Sequence, residues 1–126
     1  MHLYMQIVME DIYDEFPYLD CGAAAISLAV KIGSSEGVHA DVTDYLGALA
    51  WIIPFGQFTG ADLKVAQLGQ VIGLDEGDAL GIVARLLAHA STPLEGHRAI
   101  FTLFLENTFA VASRGFWNAV GFATKI

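Results

Sequence analysis

At 126 residues the chain has the length of one domain, enough to bury roughly two thirds of the surface its unfolded form exposes. Its formal net charge of -8, with six Lys and Arg scattered along the sequence, opposes general nucleic-acid binding, which needs clustered cations to displace phosphate counterions. A single cysteine, Cys21, excludes an internal disulfide, so the reading is one cytoplasmic domain over residues 1–126.

The opening MHLYMQIVMEDIYDEF turns acidic by residue 10 and does not read as a signal peptide. Met5, Val8, Met9, Ile12 and Phe16 follow helical spacing, while Glu10, Asp11, Asp14 and Glu15 form an acidic stripe. Leu3, Met5 and Ile7 also alternate, which is a strand pattern. Pro17 ends this element, and Asp20 caps a second predicted helix running to Gly33. Ile26, Leu28, Val30 and Ile32 alternate there as a strand would, but Ala23, Ala24 and Ala25 favour helix. Gly33-Ser34-Ser35-Glu36-Gly37 matches a nucleophile-elbow pattern, yet no strand–helix context surrounds it, so it reads as a loop.

A third helix is predicted over 42–53, apolar nearly all round and therefore central, until Pro54 and Gly56 break it. The run from Tyr45 to Ala61 is too interrupted by Pro and Gly to span a membrane. Thr59 to Asp62 resembles a capping box opening a helix with Val65, Leu68, Gly69 and Ile72 buried. Gly73 follows in the left-handed position. Asp75 caps the next helix, with Glu76 and Asp78 in its first turn and Val83, Leu86, Leu87 and Ala90 as its apolar stripe. Thr92, Pro93 and Glu95 signal the start of a long helix over 93–114, and Phe116-Trp117-Asn118 begins a short terminal one. The expected fold is a compact all-α bundle of five or six helices with a helix-turn-helix-like hairpin at 60–90.

Residues 63–87, from Leu63-Lys64-Val65 through Leu74-Asp75-Glu76-Gly77-Asp78-Ala79-Leu80-Gly81 to Arg85-Leu86-Leu87, resemble the helix-turn-helix segment of phage-type replisome-organiser proteins. The resemblance implies a winged-helix module, although no wing hairpin follows Ala90. A recognition helix offers Arg, Lys, Asn or Gln to base edges, whereas this one offers Asp75, Glu76, Gly77 and Asp78.

His2, His39, His89 and His97 show no metal-site spacing. His89, Glu95 and His97 could converge across the turn before the long helix, without a third strong ligand. No catalytic set, metal or cofactor is expected. The functional expectation is a non-enzymatic, acidic protein-binding factor of a bacterium or mobile element, an inhibitor, adaptor or immunity-like protein. It would cover a basic partner surface with Glu10, Asp11, Asp14, Glu15, Asp75, Glu76 and Asp78. The alternatives are a diverged helix-turn-helix nucleic-acid protein, and an apolar-ligand or membrane-surface protein using Trp51, Phe55, Phe58 and Trp117.

Overall fold

The computed structural model describes residues 10, 12–14, 17, 27–33 and 35–112, and it overturns the all-α expectation. Two antiparallel sheets pack against each other. The strands are β1 (Ser27–Ile32), β2 (Ala50–Gly60), β3 (Leu63–Val65), β4 (Gln70–Ile72), β5 (Leu80–Ile82), β6 (His89–Ser91) and β7 (Leu94–Phe104). One sheet has the order β1-β7-β2-β5 and the other β4-β3-β6. Glu10 and residues 12–14 are helical, and a short helix α1 (Asn107–Ala112) follows β7. Among the described residues no helix is long and apolar enough to cross a membrane.

The predicted central helix 42–53 and long helix 93–114 are replaced in part by strands. Residues 50–53 of the first and 94–104 of the second lie on β2 and β7, which pair from Trp51↔Leu103 to Gly60↔Leu94. Trp, Ile and Phe on both faces of a strand look like a helix that is apolar all round. On β7 the alternation of Arg98, Ile100, Thr102 and Phe104 turns one set of side chains to the cavity between the sheets. Pro54 fits within β2 because β5 pairs only with residues 50–52. Its carbonyl accepts from Gly77 N–H at 2.9 Å, so the ring nitrogen lies on the side away from β7, where no ladder bond is lost.

The helical hairpin expected at 60–90 is likewise absent. Its residues form β3, a 3-10 turn over Ala66–Leu68, β4, a loop and β5. Gly69 and Gly77, rather than Gly73, adopt left-handed φ of 60° and 82°. The cap-like side chains are used across strands. Thr92 Oγ1 accepts from Asp62 N–H at 2.8 Å, and Pro93 carbonyl accepts from Ala61 N–H at 2.9 Å. The second predicted helix is β1 over 27–32, the alternation that the three alanines outweighed. Residues 2–8, Cys21 and 116–118 lie outside the described residues.

Ala50 and Ile82 from one sheet pack on Leu63 and Val65 from the other, with Ala84, Ile52, Leu74 and Phe104 around them. Each large aliphatic buried here contributes about 1.5–3 kcal/mol. This apolar floor holds the two sheets at the distance that leaves a cavity beside it.

Candidate metal centre and its cavity

His39 and His89 are directly opposed in an antiparallel bridge. His39 N–H donates to the His89 carbonyl at 3.0 Å, and His89 N–H returns the bond at 2.9 Å. Opposed residues project their side chains to the same face, which brings the two imidazoles together, tilted by 56° with centroids 4.4 Å apart. Asp41 lies two residues beyond His39 on extended chain, and so on that same face. Its N–H is anchored to the Ala84 carbonyl at 3.0 Å.

The imidazole tautomers follow from their partners. His39 Nδ1 lies 2.9 Å from the Gly37 carbonyl and His89 Nδ1 2.7 Å from the Leu87 carbonyl. A carbonyl oxygen can only accept, so each Nδ1 carries a proton, and in the neutral tautomer that leaves Nε2 as the atom able to ligate an ion. Those nitrogens lie 3.7 Å from Asp41 Oδ1 and 3.7 Å from Asp41 Oδ2, respectively. One donor atom from each of the three residues lies within 4.8 Å of the others. A divalent ion bound at about 2.1 Å needs neighbouring donors about 3.0 Å apart, so modest rotation of these side chains closes the site. Two neutral imidazoles and a carboxylate on one side of an ion leave positions for other ligands and suit iron(II). The residues therefore fit a transition metal.

The triad opens on a cavity of about 440 Å³ between the sheets. At one end are Arg98 from β7 and Lys31 from β1, with Glu36. Lys31 Nζ donates to Glu36 Oε1, while Glu36 Oε2 lies 3.8 Å from His39 Nε2. Burial raises the Glu36 pKa, but the Lys31 ammonium, with smaller help from His39 and His89, brings it net below the usual value. Arg98 is 5% exposed. Its Nη1 donates to the Ala61 carbonyl at 2.9 Å, and its guanidinium lies 5.8 Å from the Phe58 ring centroid. Burial lowers the Arg98 pKa and Glu36 opposes that shift, leaving a cationic fork held in a low-dielectric pocket.

The residues singled out from sequence fall elsewhere. Glu10 and Asp14 are exposed, and Asp11 and Glu15 lie outside the described residues. Asp75, Glu76 and Asp78 are exposed on the loop between β4 and β5. Two of these acids already serve that loop: Asp78 Oδ2 accepts from Asp75 N–H at 2.9 Å, and Glu76 Oε1 from Gly56 N–H at 3.2 Å. Glu95 and His97 are exposed on β7 opposite Thr59 and Gln57, so they do not converge with His89. Trp51 and Phe55 are partly exposed, Phe58 lies against Arg98, and Trp117 is outside the described residues. Ser35, of the elbow-like pattern, accepts from Leu94 N–H and donates to the Thr92 carbonyl, a structural role.

Two facing antiparallel sheets of this kind make a jelly-roll-like fold. Among solved structures, NgTET1 in complex with 5mC DNA matches with a TM-score of 0.64 at 15% sequence identity, over 79% of this chain and 43% of that one. This chain thus spans less than half the length of that neighbour, and the likeness is one of fold. No protein-family model matches the chain, and no curated protein matches it.

Proposed function

We propose that this chain is an iron(II)-dependent oxygenase that uses a 2-oxo diacid as co-substrate. The observation that carries the reading is the His39, Asp41 and His89 triad opening on the same cavity as the buried Arg98. Iron(II) held by the triad would supply the one-electron chemistry that lets dioxygen attack a C–H bond. The chain's own residues do the rest. The Gly37 and Leu87 carbonyls orient both imidazoles so that Nε2 faces the ion, and Arg98 presents a planar fork suited to the distal carboxylate of the diacid. The apolar walls from Ile52, Leu74 and Ile100 limit water around the reacting centre.

The overall reaction balances. One oxygen atom enters the substrate as a hydroxyl, and the other enters the carboxylate formed when the 2-oxo acid loses carbon dioxide. The C–H bond and the broken C–C bond each supply two electrons. A zinc hydrolase can also use two His and a carboxylate, but it has no need of a buried guanidinium in the same cavity. The fold, shared with a TET/dioxygenase-type structure, favours the oxygenase.

The test is release of labelled carbon dioxide from 2-oxoglutarate by the aerobic, iron(II)-loaded protein. Turnover is expected to depend on iron, and Asp41→Asn should reduce it by about 100-fold or more, the scale on which metal sites respond to lost contacts. Decarboxylation absent from a protein shown to hold one iron per chain would overturn the co-substrate assignment.

A further inference from the structure

The cavity has an acidic end that the triad and Arg98 do not explain. Asp44 and Glu106 are opposed in an antiparallel bridge, framed by Tyr45 N–H donating to the Leu105 carbonyl at 2.7 Å and Asn107 N–H to the Thr43 carbonyl at 2.9 Å. The bridge turns both carboxylates to one face, and both residues line the cavity. Like charges directly opposed are destabilising. Asp44 is only 7% exposed, and its carboxylate accepts no hydrogen bond from any described residue. Arg85 reaches its backbone carbonyl instead, at 2.9 Å. Among the described residues the group of three side chains close enough together to hold a metal is His39, Asp41 and His89, and Asp44 and Glu106 stand outside it.

A buried carboxylate aimed into a cavity beside a second one is relieved by a cation, left strained by a neutral ligand and worsened by an anion. We propose that Asp44 and Glu106 receive an alkylammonium nitrogen of the molecule that is oxidised. The word "oxidised" rests on the oxygenase reading; binding of the cation does not. A cavity of about 440 Å³ that also admits a diacid leaves room for a slender chain, either a free amine or a lysine-type side chain.

The test titrates n-butylammonium and its neutral counterpart 1-butanol into the protein, loaded with Mn(II) and metal-free, by calorimetry. The ammonium should bind about ten-fold more tightly or better, the range of a charge-assisted hydrogen bond. Asp44→Asn and Glu106→Gln should each remove most of that preference while one Mn(II) per chain is retained, which also shows that the variants fold. A short lysine peptide that competes with butylammonium assigns a protein side chain as the source of the cation, and one that does not assigns a free amine. Equal binding of the two probes, indifference to both variants, or a second Mn(II) lost in the variants would overturn the proposal. Failure of the wild type to bind Mn(II) with the ammonium preference intact would count against the oxygenase alone.

Discussion

His39 and Asp41 show how much chemistry two residues of spacing can hold. On extended chain they point the same way, and the bridge to His89 completes a donor set with both tautomers fixed by backbone carbonyls. On a helix, residues two apart do not face each other. Because the chain read as helices, this pair carried no signal, and His89 lies 50 positions further on, where only strand pairing can bring it back. The same His-x-Asp spacing, considered in an extended frame, was the signal available. At Arg98 the planar fork matters beyond its charge. Arg98→Lys should weaken 2-oxoglutarate binding by about ten-fold or more, since a point charge cannot reproduce bidentate contact. Arg98→Met should also cost about 1–3 kcal/mol of stability, measured by urea unfolding, because the Ala61 carbonyl loses its donor. Asp44 gives a pH signature. Its carboxyl titrates near 6 in the fold and lower when unfolded, so the native state holds the extra proton between about pH 4 and 6. This group's contribution to stability therefore falls as pH rises through that window. Asp44→Asn should flatten the fall in a series of unfolding midpoints, and an unchanged slope would show that Asp44 is not its source.

The elements were misread for a related reason. Thr92-Pro93-Leu94-Glu95 has every residue of a helix start, yet Thr92 serves Asp62 across a turn, and Pro93 serves Ala61. Cap chemistry satisfies orphan backbone groups wherever they occur, so it marks a chain reversal as well as a helix end. The alternation in β1 was legible, and local alanine content outweighed it; pairing with β7 from Ser27↔Phe104 to Ile32↔Ala99 decides the outcome instead. Glycine in β2 was legible only as a breaker, while its role is close approach. Gly56 has φ +121°, and a Cβ there would meet the His97 carbonyl oxygen at 2.3 Å, beside the backbone of Arg98. Gly56→Ala should therefore cost about 1–3 kcal/mol from backbone strain alone and more from the clash. Because Gly56 opposes Arg98, the variant should also weaken 2-oxoglutarate binding; a stable variant with unchanged binding would separate β2 from the positioning of Arg98.

For the whole molecule, charge and fold point in different directions. The fold resembles that of a protein solved with 5mC DNA, but this chain carries a net charge of -8 and lines its cavity with Glu36, Asp41, Asp44 and Glu106. Phosphate would meet repulsion, and the absence of a salt-dependent mobility shift with duplex DNA is the expected outcome. That prediction rests on charge alone. What composition could not carry is that the sheets meet around a cavity with a metal-ligand set in its wall, since that depends on pairings between residues tens of positions apart. The proposed oxygenase chemistry depends on that set holding one ion. Titration of Mn(II), followed by electron paramagnetic resonance, measures this most directly. The account predicts one tight site per chain, weakened about 100-fold or more by either Asp41→Asn or His89→Ala in variants that remain folded. Absence of a tight site in the wild type, or a site indifferent to both substitutions, would contradict it.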